Sequence, residues 1–152
     1  MNALELKVPP PAMAAVVALL IYGGDWLWPA AWLGTAPTGL VLGVVALALL
    51  IGVAAVAHFF QVGTTVHPHC PDKSRVLVAR GVYRFSRNPM YLALLLMLVA
   101  WSLHLGWPGA PLGWALFVAW ITRFQIRPEE RILAQVFGEE YRDYCRRVRR
   151  WL

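Results

Sequence analysis

Two short stretches of this chain hold most of the residues able to do chemistry. The first is Gly81-Val82-Tyr83-Arg84-Phe85-Ser86-Arg87-Asn88-Pro89-Met90-Tyr91. Pro89 suits the first turn of a helix, and a helix N-terminus beside two Arg and two Tyr makes a site for an anionic group next to a flat ring. The plainer reading of the same residues is a basic anchor with interfacial tyrosines. The second stretch holds Arg123, Gln125, Arg127, Glu129 and Glu130. Two Glu directly after Pro128 are favourable first-turn charges of a helix. Arg123 follows Trp120 by three residues inside an apolar run, and an ionisable group in such a setting faces a partner or a wet cavity. A basic cluster meeting an acidic one at the same level would hold a zwitterion.

Other candidates carry less. His67, His69 and Cys70 put three possible metal ligands into four residues with no second cluster at a recognised spacing, so no metal is expected. His58 and His104 fall near the ends of apolar segments and read as interfacial or hydrogen-bonded groups. There is no glycine-rich phosphate loop and no nucleophile motif.

The elements that must position these residues follow from composition. Of 152 residues, 59% are hydrophobic and 14% charged, with eight Trp, well outside the balance of a soluble domain. All 14 Lys and Arg fall in three places: Lys7, five from Lys73 to Arg87, and eight from Arg123 onward. Long charge-free apolar stretches between basic blocks exclude the continuous basic face of a nucleic-acid binder. The fold class expected is all-α: one integral membrane domain over residues 1–152 with four transmembrane helices at about 12–28, 38–60, 90–105 and 111–126. The second is the clearest, since 23 uncharged residues at 1.5 Å each cross a hydrocarbon core of about 30 Å. Pro9, Pro10 and Pro11 ahead of the first run do not fit a cleaved signal, so that run is read as a retained helix.

Residues 61–89 form a polar loop and residues 127–152 a tail whose apolar residues recur at three- and four-residue spacing, an amphipathic helix divided at Gly138. The basic loop and tail place both termini and the site in the cytoplasm, where Cys70 and Cys145 stay reduced. Trp26, Trp28 and Trp32 at one hairpin and Trp101, Trp107 and Trp114 at the other fit an aromatic belt on the far side. The terminal Arg146, Arg147, Arg149 and Arg150 suit a helix C-terminus and anionic lipid.

The run from Gly81 to Tyr91, followed by Arg127-Pro128-Glu129-Glu130 and by Phe137-Gly138-Glu139-Glu140-Tyr141 with Tyr144, resembles the isoprenylcysteine carboxyl methyltransferase family, a group related to the membrane phospholipid methyltransferases. The likeness runs from about Thr64 to the C-terminus. Asn88 stands where the family usually has His, and the chain lacks the extra spans of the larger members. The resemblance implies transfer of a methyl group from S-adenosylmethionine to a hydrophobic or lipid-linked acceptor. On that basis Glu129 and Glu130 meet the cofactor's amino group or ribose, Arg87 and Asn88 with the helix start at Pro89 meet its carboxylate, and Tyr83 and Tyr91 wall its adenine or sulfonium. Arg123 and Arg127 are expected to orient the acceptor. An amine acceptor would need a base, with Glu130 or His67 nearest. Two other readings are a phospholipid amine N-methyltransferase and a non-catalytic scaffold that only binds anionic lipid.

Overall fold

The computed structural model describes residues 5–29, 34–61 and 77–152. Among them the chain forms helices and turns and no strand. Helix α1 is Pro10–Leu27, with prolines at its first turn where no N–H is needed, and α2 is Thr38–Gln61. A short 3-10 turn at Gly81–Arg84 leads into α3, Pro89–Leu105. Helix α4, Ala110–Ile121, passes through a π-helical turn at Thr122–Ile126 into α5, Arg127–Phe137. Helix α6 is Glu139–Arg147.

The helices stand close to their expected limits, and one feature goes beyond them. The π turn was not legible in the apolar pattern, and its cause is Pro128. That residue has no N–H to give the carbonyl four residues back, and the Arg127 N–H reaches five residues back to Thr122 O. The Phe124 carbonyl is thereby freed, and it accepts the Leu6 N–H at 3.0 Å. Gln125 Nε2 donates to Val8 O at 3.0 Å in the same strip, so the N-terminal segment is laced onto the π turn. The tail divides at Gly138, where the sequence placed the break. Gly138, at φ 55° and ψ −121°, adopts a backbone conformation that only glycine enters freely, and α6 therefore turns away from α5.

Helices α1, α3 and α4 share one core, in which Val17, Ile21, Phe117, Ile121 and Ile126 are fully buried. Helix α2 lies against α3, where Gly52 leaves room for the Ala93 methyl, and turns most of its side chains outward. Leu50 and Val53 are 68% and 67% exposed. Apolar surface of that extent has no place in water, and lipid is the solvent that fits it. Helices α1 and α2 are both long and apolar enough to cross a membrane. Helix α3, at 17 residues, is shorter, and α4 reaches a comparable length only by continuing through the π turn.

At the far end Gly106, with φ 75°, closes α3, and any side chain there would strike the Gly34 carbonyl. The Trp107 ring covers Gly24 and Gly109. Trp26 and Trp28 point outward as a belt requires. Trp101 and Trp114 instead turn their N–H groups into the protein, to Ala18 O at 3.2 Å and Ser102 Oγ at 3.0 Å, because an indole in an apolar bundle needs an internal acceptor. Trp32 lies outside the described residues.

Candidate active site

The start of α3 is shaped by local hydrogen bonding. Buried Ser86 accepts the Asn88 N–H at 3.1 Å, tethering the residue that precedes Pro89. Asn88 makes no side-chain cap to its own helix. Its Nδ2 donates instead to Arg150 O at 2.9 Å, and the Arg87 N–H donates to Arg149 O at 3.0 Å. The C-terminal residues thus run as a strap across the entrance to α3. Trp151 pins the strap by donating to Thr122 Oγ1 at 3.2 Å, and Tyr144 Oη donates to Tyr83 O at 2.7 Å from α6.

Under the strap, Glu129 and Glu130 point to different surroundings. Glu130 receives Arg150 in a two-point grip, Nε at 2.9 Å and Nη2 at 2.7 Å, and Arg87 Nη1 lies 3.2 Å from it. Glu130 and Arg87 are both largely buried, so this is a desolvated charge cluster in which each partner depends on the others. Arg87 Nη1 also donates to Cys145 Sγ at 2.5 Å. Its Nε is buried without a hydrogen-bond partner among the described residues. A buried guanidinium N–H left open is a place for a carboxylate oxygen.

Glu129 faces the other way and accepts the Tyr91 hydroxyl at 2.5 Å. Burial pushes its pKa up to about 7; the Tyr91 hydrogen bond opposes the rise and the charge of Glu130 adds to it. Tyr83, on the 3-10 turn, is within the field of Glu129, and its phenol is also raised, chiefly by burial. Tyr91 lines a groove of about 720 Å³ between the start of α1 and the facing sides of α2 and α3, walled by Pro10, Gly52, Val56, Met90, Leu94 and Met97 among others. The groove is almost wholly apolar, and Tyr91 joins it to the carboxylate.

The structure therefore brings together Tyr83, Arg87, Asn88, Pro89, Tyr91, Glu129 and Glu130. It takes Arg123 elsewhere: with Arg131 it grips the buried carboxylate of Glu5, at 3.3 and 2.6 Å. Arg127 is exposed with no ion-pair partner among the described residues. Arg150, Cys145, Ser86 and Glu5 carry roles that sequence reasoning missed. The spacing of Tyr141, Tyr144 and Val148 marked an inward face of α6, but nothing in the run of terminal arginines singled out Arg150. His58 Nδ1–H donates to Ala54 O at 2.9 Å, and the His104 ring lies near that of Trp101. His67, His69 and Cys70 lie outside the described residues.

A 63-residue uncharacterised protein of Haemophilus influenzae (strain Rd) is 54% identical over its whole length, which covers 41% of this chain. No solved structure matches. The description of the phospholipid methyltransferase family fits residues 38–140, from α2 through the entrance of α3 and the paired carboxylates to the start of α6, and the chain belongs to that family.

Proposed function

We propose that this chain is an S-adenosylmethionine-dependent methyltransferase of the membrane surface, acting on a hydrophobic or lipid-linked acceptor. The observation that carries the reading is the meeting at Tyr91 of an apolar groove and a buried polar cluster. Bound there, the cofactor supplies an electrophilic methyl group on a sulfonium. Arg87 would take its carboxylate on the open Nε, with Asn88 and the first turn of α3 beside it. Glu130 would meet its amino group or ribose, and Tyr83 would wall the aromatic or sulfonium part. Methyl transfer is an in-line displacement, so alignment and exclusion of water supply most of the acceleration.

The acceptor enters sideways from the bilayer, its chain in the groove and its reactive end at Tyr91. Arg127, exposed at the start of α5, stands where it can steady an anionic part of a lipid head. The four apolar helices are read as four spans with both termini and the site cytoplasmic, because the described arginines gather at the α3 entrance and tail while residues 34–37 and 106–109 carry none. A membrane-impermeant thiol label on Cys70 from the outside of sealed cells would overturn that orientation.

The deciding experiment is transfer of labelled methyl from S-adenosylmethionine to phosphatidylethanolamine vesicles and, in parallel, to a prenylcysteine analogue. A base-labile product marks a carboxyl ester, as the isoprenylcysteine-type reading expects, and a base-stable product marks an amine. Absence of cofactor binding by purified protein leaves the scaffold reading.

A further inference from the structure

The segment that precedes α1 joins two regions that the proposed reaction must hold in register. Glu5, whose side chain is 2% exposed, takes Arg123 Nη1 at 3.3 Å on one oxygen and Arg131 Nη2 at 2.6 Å on the other. Arg123 belongs to the π turn and Arg131 to α5, directly after Glu130. One buried carboxylate thus spans the joint at Pro128. The Leu6 N–H donates to Phe124 O and the Val8 carbonyl accepts from Gln125 Nε2, each at 3.0 Å. Leu6 is buried at φ 60°, a left-handed conformation that a bulky L-residue rarely enters and that persists only where its surroundings over-determine it. Pro10 and Pro11 come next, and both line the apolar groove with Met90 and Tyr91. A carboxylate taken out of water is costly unless closely paired, and apolar contacts would hold such a segment at less cost. What the ion pairs add is direction.

Resting on the methyltransferase reading, we propose that Glu5 is a positioning residue for the reaction: by tying Arg131 to the N-terminal segment it fixes how α5 leaves the π turn, and so where the paired carboxylates stand relative to the groove. Glu5 acts through Arg131 and touches neither cofactor nor acceptor. Successive helical residues point about 100° apart. Glu130 reaches Arg87 and Arg150 while its neighbour Arg131 reaches Glu5, so α5 is held from two directions and its rotation about its own axis is set. The segment that supplies one of those holds continues into the groove wall at Pro10 and Pro11, which makes the wall and the carboxylates parts of one brace. Loss of the Glu5 carboxylate lets α5 shift about the π turn, and a misplacement of about 1 Å is enough to cost an aligned displacement roughly 10²-fold. Cofactor binding suffers less, because Glu130 keeps both of its arginines.

The test compares wild type, Glu5→Gln, Arg131→Gln, the double variant and Trp107→Ala in nanodiscs. Trp107→Ala serves as a control that loses stability at the far end of α3, away from the brace. Three readouts are taken at a temperature where every variant is folded: unfolding temperature, affinity for S-adenosylhomocysteine, and single-turnover transfer at saturating S-adenosylmethionine to whichever of phosphatidylethanolamine and the prenylcysteine analogue the wild type labels. Glu5→Gln and Arg131→Gln should each lower the single-turnover rate about 10- to 10²-fold with product affinity little changed. The double variant should lose no more than either single one, since the two residues form one link. Trp107→Ala should lose stability and keep the wild-type rate. A Glu5→Gln rate equal to that of wild type, an unchanged rate in Arg131→Gln, or losses that multiply in the double variant would each overturn the proposal while leaving the methyltransferase reading standing. Should Glu5→Gln fail to fold, the rate of Arg131→Gln decides alone. Failure of the wild type to bind cofactor or label either acceptor would overturn the methyltransferase reading itself.

Discussion

Where Gly106 turns α3 toward α4, the contacts are those of close packing: Trp107 lies on Gly24 and Gly109, and the Gly34 carbonyl fills the space a side chain would take. At the opposite end of the same helix the contacts are charged and hydrogen-bonded, with Arg87, Glu130 and Arg150 clustered and the strap bonded to Asn88. The far end contains no Lys or Arg among its described residues. Two of its indoles, those of Trp101 and Trp114, donate to acceptors inside the bundle. Among the described residues, the entrance of α3 holds a guanidinium N–H with no hydrogen-bond partner and a carboxyl group that accepts from a phenol. Among the described residues, a buried guanidinium N–H without a partner lies at the end that faces the candidate site, and such a group is costly unless a ligand completes it.

Trp107→Ala offers the largest effect and the sharpest way to break the comparison. Emptying the space over two glycines should cost about 3 kcal/mol, read as a lower unfolding temperature in detergent, with affinity for S-adenosylmethionine unchanged. A matching loss of affinity would show that the two ends are coupled. Glu130→Gln should do the reverse. Loss of a charge-assisted partner is expected to weaken cofactor binding by about 1.5 to 3 kcal/mol, roughly ten- to a hundredfold. Amide exchange should rise in the strap around Arg149 and Arg150 and stay constant near Gly106; equal exchange at both ends would refute a local role for the cluster.

Gly138→Ala isolates backbone strain, because nothing lies within 4 Å of the added methyl. The positive φ should make it cost about 1 to 2 kcal/mol, seen as looser packing of α6 and weaker protection of the Tyr144 contact to the 3-10 turn. Arg123→Ala should do least. The side chain is 44% exposed and Arg131 remains on Glu5, so a loss below about 1 kcal/mol is expected, with turnover nearly unchanged. A large fall in turnover with cofactor binding retained would restore the acceptor role that its position in an apolar run suggested.

The amino-acid sequence by itself determined the helices and their solvent. Charge-free runs of fixed length, prolines at first turns and Gly138 dividing the tail act through local geometry and transfer free energy, which depend on neighbours along the chain. It also marked residues 81–91 and 123–130 as the candidates for chemistry. Only the tertiary structure decided how those residues divide their tasks. Glu129 and Glu130 are adjacent and alike in sequence, yet one meets two guanidiniums and the other a buried phenol, because successive helical residues point in directions about 100° apart. Arg123 and Arg150 lie elsewhere than their neighbourhoods suggested. Glu5 draws the first onto the N-terminal segment, and the strap carries the second back over a loop 62 residues away. An ion pair is chosen by distance and burial in space, and no pattern along a run of terminal arginines records which one folds back onto a carboxylate.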